Sequence, residues 1–404
     1  MEMREEKIHS IFGGQPLRYR DPMSYASGSL NQLIHGTDDI VWVERQMEPY
    51  GDDLLSPAFH DFVERPVCEH DYLARPLVRS AAFILARSDV VLTGYRTLVG
   101  QRDLEYNLDE AFVSAEAMAS ELSVLGRDEQ WASELTGFKP THESFVYKLD
   151  ESHRRVISIN EPVICLTSDE APNYGSFLFR ILPKLVQVAL LDVSIKILVP
   201  VYFHSLRQFL MLAGIDESRL IHQDLVALYK LKRAILPSMR NSHAWLDRES
   251  IAFYDSLRMR HGESRRDRKI YLSRRDYLKS HDGQGRIMLN ESELIEKLKE
   301  RGFEVVEPQN FSALQQIRMF SSASLIVSAS GSALFNIVFS YPGTKVIDIE
   351  SEPHWISNHA RLFGSRGLDF GIFEGTPSDY TFKHHHVPFE VDVSRLMDRI
   401  DNFK

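Results

Sequence analysis

The stretch SASGSALFNIVFSYPGTKVIDIE, residues 328–350, sets two glycines and several small polar residues between apolar runs. The run SLIVSA (324–329) predicts a buried strand, residues 332–340 a helix, and KVIDI (345–349) a second strand. A Tyr-Pro-Gly turn at 341–343 separates the helix from the second strand. A strand, a helix and a strand in this order are typical of a βαβ unit with parallel strands.

The same alternation extends upstream of this stretch. KIYLS (269–273) and FEVVEP (303–308) have the apolar content of strands, and Asn290 and Ser312 each begin the predicted capping box of a helix. Repeated βα units with nearly continuous apolar strands predict a parallel sheet that is covered on both faces.

A second set of strands is predicted in the middle of the chain. PVICLTS (162–168), IKILVPVYF (195–203) and RLIHQ (219–223) have strand character, and 205–214 has helical spacing. These segments indicate another Rossmann-like unit. The polar and charged stretch 240–268 then predicts a linker between the two units.

We therefore predict an α/β protein with three parts. Residues 1–160 form a β-rich N-terminal region, on the evidence of short β-branched runs within 76–104. Residues 161–260 form an N-terminal Rossmann-like domain, and residues 261–404 form a C-terminal Rossmann-like domain with a tail.

The bulk composition limits the classes of protein to which this chain can belong. Of 404 residues, 43% are hydrophobic and 26% charged, and the net charge of -10 argues against a nucleic-acid partner. Cys68 and Cys165 lie far apart beside apolar residues, which predicts free thiols in a reducing compartment. The N-terminus has no apolar signal core, and charges interrupt the apolar stretch 177–203. We expect a cytoplasmic protein, and peripheral contact with the inner face of the membrane is compatible with this location.

The turn at Ser330, Gly331 and Ser332 is the first candidate for chemistry. A helix that begins after a strand leaves backbone N–H groups free, and these groups favour an anion. A glycine lets a phosphate approach the backbone closely, and the two serines add hydroxyl donors. The alternative is an ordinary βα turn in which a serine caps the helix.

Arginines cluster around one predicted strand. Arg274 and Arg275 follow the strand at 269–273, at the edge where open α/β sheets bind ligands, and guanidinium groups suit phosphate. The charged run 265–269 precedes the same strand. We interpret that run as a solvated surface, and Arg274 or Arg275 as a phosphate ligand.

A polar segment follows the first strand of the middle unit. Asp169 or Glu170 could remove a proton from an acceptor hydroxyl, and capping or solvation is the alternative for both. A polar turn follows these carboxylates and is a further candidate; it consists of Asn173, Tyr174, Gly175 and Ser176.

Other polar residues are weaker candidates. Asp348 and Glu350 end the last strand of the opening stretch, where carboxylates can accept hydrogen bonds from ribose or sugar hydroxyls. His243 is a candidate for catalysis, although packing beside Trp245 is the alternative role. The run 384–386, three histidines, is more typical of a solvated tail than of a metal site, and we predict no metal ligands.

Four motifs together resemble the glycosyltransferase 61 family, whose members include capsular polysaccharide biosynthesis proteins. They are NYGSFLFRILPKL (173–185), RKIYLSRRD (268–276), RIMLNESELIEKLKERGFEVVEP (286–308) and SGSALFNIVFSYPGTKVIDIE (330–350). The resemblance covers roughly 160–350.

The resemblance implies a GT-B-like arrangement, in which two Rossmann-like domains face a cleft. Residues 161–260, with the turn 173–176 and His243, would form the acceptor side, and residues 261–404 would bind the nucleotide-sugar donor. It implies inverting transfer of a sugar from a nucleotide-sugar to a glycan or lipid-linked acceptor, without a catalytic metal or other cofactor. Arg274, Gly331 and Asn336 match the arginine segment, the glycine turn and its helix, and Asn290 and Glu291 match an Asn-Glu pair.

Four positions depart from the family pattern. Ser330 and Ser176 replace histidines, Arg180 replaces an acid, and Asp348 replaces a glutamate. Serine retains hydrogen bonding but is not a base at neutral pH without assistance. The resemblance as a whole implies a hexosyl- or pentosyltransferase of surface polysaccharide synthesis. A nucleotide-sugar epimerase and an inactive nucleotide-sugar-binding or scaffold protein remain the alternatives.

Overall fold

The protein was analysed as a computed structural model that describes residues 4–6, 15, 17–49, 59–61, 78–111, 138–140, 146–149, 155–168, 170, 173–241, 244–275, 287–350, 356–378 and 387–403. The strands, in chain order, are β1 (Arg4–Glu6), β2 (Leu17–Tyr19), β3 (Ala26–Ser27), β4 (Ile40–Arg45), β5 (Glu48–Pro49), β6 (Phe59–Asp61), β7 (Val78–Arg79), β8 (Ala82–Thr93), β9 (Thr97–Gly100), β10 (Glu105–Asn107), β11 (Phe138–Pro140), β12 (Val146–Leu149), β13 (Val156–Cys165), β14 (Lys196–Val199), β15 (Leu220–His222), β16 (Leu228–Pro237), β17 (Arg268–Leu272), β18 (Phe303–Val306), β19 (Ala323–Ala329), β20 (Lys345–Glu350), β21 (Asp369–Glu374), β22 (Thr376–Pro377) and β23 (Phe389–Glu390).

The α-helices are α1 (Leu30–His35), α2 (Tyr174–Ser176), α3 (Leu185–Val188), α4 (His204–Leu212), α5 (Arg248–His261), α6 (Glu291–Glu300), α7 (Ala313–Ser322), α8 (Ile356–Ser365) and α9 (Val393–Asn402). A π-helical turn (Phe177–Ile181) and a 3-10 turn (Leu182–Lys184) connect α2 to α3. Other 3-10 segments are Pro22–Ser24, Glu217–Arg219, Pro308–Asn310 and Ser332–Phe339.

The chain divides into two compact units. Unit 1 contains Met1–Glu48 and Val78–Ser242. Within the described residues its sheet has thirteen strands, and β16-β13-β14-β15 form a parallel set. Strand β8 joins this set antiparallel to β16, and its apolar side chains, Phe83 among them, are fully buried in the core. Unit 1 therefore combines a parallel α/β portion with an antiparallel extension.

Unit 2 contains Pro49–Leu77 and His243–Lys404. The described part of its sheet has six strands in the order β18-β17-β19-β20-β21-β6, and every neighbouring pair is parallel. The middle strands β19 and β20 are buried along almost their whole length. Burial on both faces explains their continuous apolar sequence.

The strands predicted from apolar runs are confirmed in both units, and the α/β class is confirmed with them. The capping box at Ser312 is also confirmed. The capping box predicted at Asn290 is wrong, because the Asn290 side chain instead bonds the backbone N–H and C=O of Val391, at 3.0 and 2.7 Å.

Two other local predictions need correction. The helix predicted at 332–340 is a 3-10 helix, Ser332–Phe339, with apolar side chains buried along most of its length. The linker predicted at 240–268 contains helix α5, which buries Tyr254 and Leu257 in unit 2. Charged residues occupy the other positions of α5, so the apolar side of this helix is not apparent from the sequence.

The described thiol is shielded from solvent. Cys165 is free and completely buried, and burial raises the pKa of its thiol to about 12. Cys68 lies outside the described residues. None of the helices in the described ranges has the length and apolar character that crossing a membrane requires.

Candidate functional site

Three neighbouring strands of unit 2 end at one edge of the sheet. Strand β19 lies between β17 and β20, and all three run parallel, so the segments that follow them lie side by side. Arg274 follows β17, Gly331 follows β19, and Glu350 ends β20. Ligands of open α/β sheets bind at the carboxyl ends of the strands. This edge is therefore the candidate site.

Arg274 packs directly against the glycine turn. Its Nη1 donates a hydrogen bond to the Ser330 carbonyl at 3.3 Å. A Cβ on residue 331 would lie 3.1 Å from Nη1 and 3.4 Å from Cζ of Arg274. Glycine at 331 thus permits the close approach of the guanidinium, and both Arg274 and Gly331 are partly exposed. A cation and a turn accessible to solvent lie together here.

Glu291 anchors the segment that presents Arg274. The Glu291 carboxylate, largely buried at the start of α6, accepts hydrogen bonds from Tyr271 Oη at 3.0 Å and Ser273 Oγ at 2.9 Å. It also accepts one from the backbone N–H of Arg274. Burial raises the pKa of Glu291, and the hydrogen bonds and the charge of Arg275 oppose that rise.

We expect a pH-dependent stability contribution from Glu291. Its pKa is higher in the folded chain than its ordinary value of 4.5, so the folded state binds the proton more tightly. The contribution of Glu291 to stability is therefore greatest below pH 4.5 and declines as the pH rises through the pKa of the folded state. The difference in free energy of unfolding between wild type and Glu291→Gln should fall with rising pH, as measured by urea unfolding at a series of pH values.

Glu304 on β18 provides a control of opposite sign. A hydrogen bond from Arg268 lowers the pKa of this more exposed carboxyl. The contribution of Glu304 to stability is present above its ordinary pKa and is lost on acidification. The difference in free energy of unfolding between wild type and Glu304→Gln should therefore rise with pH. Parallel trends for the two variants would contradict the assignment at Glu291.

Ser330 faces inward, toward a histidine that the sequence analysis did not select. Ser330 Oγ lies 3.4 Å from His359 Nδ1, and the same nitrogen lies 2.6 Å from Asp348 Oδ2. All three side chains are buried. His359 comes from α8, 29 residues after Ser330, and no local spacing could have indicated this contact.

The other candidates on this edge divide into exposed and buried residues. Ser332 is partly exposed and Arg275 is exposed. Asp348 and Glu350 are buried, and Asn336 is buried with its side-chain amide donating to the Ala333 carbonyl at 3.0 Å. The turn thus presents Gly331, Ser332 and Arg274 to solvent, and the carboxylates lie behind it.

The acceptor-side candidates in unit 1 make local structural contacts. Asn173 caps α2, since its Oδ1 accepts from the backbone N–H groups of Gly175 and Ser176 at 2.8 and 3.2 Å. The Ser176 hydroxyl is buried, 3.1 Å from that of Ser168. The rings of Tyr174 and Phe203 meet edge to face, with centroids 6.2 Å apart.

Of the two predicted bases, only Glu170 is described. Its carboxylate is partly exposed and lies 3.5 Å from the guanidinium of Arg180. Asp169 and the acceptor-side candidate His243 lie outside the described residues, as does the run 384–386. The structure therefore brings Arg274 and Gly331 together, and in unit 1 it pairs Glu170 with Arg180.

The basic run 265–269 lies at the opposite edge of the unit 2 sheet, where β17 begins. Arg265 pairs with Asp267, and Arg268 with Glu304. These local ion pairs support the interpretation of the run as a surface feature.

Part of the chain matches a known protein family. No curated protein matches the chain. The family model described as Glycosyltransferase 61 matches residues 174–347, which include the Asn173–Ser176 turn from Tyr174 onward, Arg274 and the Gly331 turn. Over residues 174–347, the chain is therefore similar to the glycosyltransferase 61 family.

Proposed function

We propose that the protein is an inverting glycosyltransferase whose unit 2 binds the diphosphate of a nucleotide-sugar at the Gly331 turn. The observation that carries this proposal is the contact of Arg274 with Gly331, which combines a fixed cation with a turn accessible to solvent. Similarity to the glycosyltransferase 61 family supports sugar transfer in general. The GT-B-like arrangement and a role in surface polysaccharide synthesis are part of the proposal.

Each side chain at the Gly331 turn would have a separate role in donor binding. The guanidinium of Arg274 would stabilise the negative charge of the leaving diphosphate, and the Ser332 hydroxyl would donate a hydrogen bond beside it. Glu291 would hold the Arg274 segment in place, because its carboxylate accepts the Arg274 backbone N–H. Ser330 would support the turn from behind.

Inverting transfer also needs a base for the acceptor hydroxyl. Glu170 is the described candidate, since its carboxylate is partly exposed near the end of β13. We propose a glycan or lipid-linked hydroxyl compound as the acceptor.

A panel of nucleotide-sugars tests this function. The purified protein is screened by thermal shift against uridine, guanosine, cytidine and thymidine nucleotide-sugars. A ligand that raises the melting temperature is then incubated with protein and oligosaccharide acceptors. We expect stabilisation by one nucleotide class, release of the nucleotide, and a product whose anomeric configuration is inverted by NMR.

Other outcomes would contradict the proposal in different ways. Conversion of the sugar without nucleotide release would indicate an epimerase. Binding without turnover of any kind would indicate a binding protein, and no stabilisation by any nucleotide-sugar would overturn the donor site itself.

A further inference from the structure

Three potential metal ligands lie together behind the Gly331 turn. Asp348 and Glu350 are two residues apart on β20, so both side chains leave the same face of the strand. His359 approaches them from α8, with Nδ1 2.6 Å from Asp348 Oδ2 and 3.8 Å from Glu350 Oε1. One ligand atom from each residue lies within 4.8 Å of the others. This spacing is close enough for a single ion.

The cluster is completely buried. The exposed fractions are 0% for Asp348, 1% for Glu350 and 2% for His359. Within the part of the chain that the structure describes, Asp348 Oδ1 has no hydrogen-bond partner, although the other oxygen of this carboxylate faces His359. Buried polar atoms are almost always paired, and an ion is one reason for an exception.

The charges of the three side chains also favour a cation. Two carboxylates and one imidazole carry a net negative charge even when the imidazole is protonated. Buried charges in proteins are paired or coordinate metals. A divalent ion would neutralise the carboxylates and would bind the neutral imidazole through a nitrogen lone pair.

We propose that Asp348, Glu350 and His359 bind a divalent first-row transition-metal ion. An imidazole nitrogen with two carboxylate oxygens suits Zn²⁺ or Mn²⁺, whereas Ca²⁺ and Mg²⁺ prefer oxygen ligands alone. The ion would replace the hydrogen bond between His359 Nδ1 and Asp348 Oδ2, because both atoms would become ligands.

The surroundings of His359 fit this role. The rings of Phe335 and Phe363 lie 5.2 and 5.6 Å from the imidazole, centroid to centroid, and provide an apolar wall. An apolar surrounding strengthens the attraction between an ion and its ligands. The inference does not depend on sugar transfer, and its test needs no nucleotide.

Metal binding can be measured directly. The full chain, with His384, His385 and His386 replaced by Ala to remove a competing histidine run, is stripped with EDTA and dialysed against Zn²⁺, Mn²⁺ or Mg²⁺. We expect inductively coupled plasma mass spectrometry to find one equivalent of Zn²⁺ per chain. Mn²⁺ should bind more weakly than Zn²⁺, and Mg²⁺ should bind most weakly. Asp348→Asn and His359→Gln should each lower Zn²⁺ affinity at least tenfold.

Controls separate this site from adventitious binding. His261→Gln, at the C-terminal end of α5, should leave affinity and stoichiometry unchanged. If the cluster variants fail to fold, pulsed EPR of Mn²⁺ in the parent protein should still detect coupling to one histidine nitrogen. Less than stoichiometric Zn²⁺, absent nitrogen coupling, or wild-type affinity in folded Asp348→Asn would overturn the proposal.

Discussion

Replacing Lys184 with Met should lower the free energy of unfolding of unit 1 by about 3–5 kcal/mol, the usual cost of breaking a buried ion pair. Lys184 is completely buried, and its Nζ lies 2.6 Å from Asp109 Oδ2 and 2.8 Å from the Thr167 carbonyl. Met retains most of the side-chain volume, so the loss comes from the charge. Urea unfolding, followed by hydrogen exchange in peptides of β13, measures the change.

Lys232→Met is the matched control. In the wild type, the Lys232 Nζ lies 2.7 Å from Asp89 Oδ1, but the Lys232 side chain is 61% exposed. An exposed pair of this kind contributes about 1 kcal/mol or less. The double variant Lys184→Met/Asp109→Asn should lose less stability than the sum of the single variants, because it removes both charges of the pair, and Arg96, which also contacts Asp109, keeps Glu110 as its partner. Equal losses for Lys184→Met and Lys232→Met would show that burial does not strengthen this pair.

Arg274→Ala should weaken binding of a nucleoside diphosphate by about 1.5–3 kcal/mol, the range for hydrogen bonds to charged groups. This loss corresponds to roughly ten- to hundredfold in the dissociation constant. The affinity of Arg274→Lys should lie between those of Arg274→Ala and wild type, since lysine keeps the charge but loses the bidentate geometry of the guanidinium. Isothermal titration calorimetry measures all three affinities.

Arg265→Ala is the control for this series. Arg265 is 84% exposed, pairs with Asp267, and precedes β17 at the opposite edge of the sheet. Its removal changes the net charge by the same amount as Arg274→Ala and should leave affinity unchanged. Equal affinity of Arg274→Ala and wild type would remove Arg274 from the site, and equal losses in both variants would indicate a nonspecific charge effect.

The sequence alone determined strands β13, β14 and β15 of unit 1, strands β17 to β20 of unit 2, and the sheet edge at which the phosphate candidates lie. Strands β17, β19 and β20 follow from short apolar runs, because a buried parallel strand needs apolar residues on both faces. The parallel order then requires Arg274 and Gly331 to lie at the same edge of the sheet. This part of the site depends only on local patterns and on the rules of βαβ connection.

Only the tertiary structure decided which polar side chains face solvent. Ser330 and Ser332 look alike in sequence, yet Ser330 is buried against His359 while Ser332 is partly exposed. The pairing of Lys184 with Asp109 spans 75 residues. Local periodicity carries no information about such contacts, because they arise when separate elements pack together.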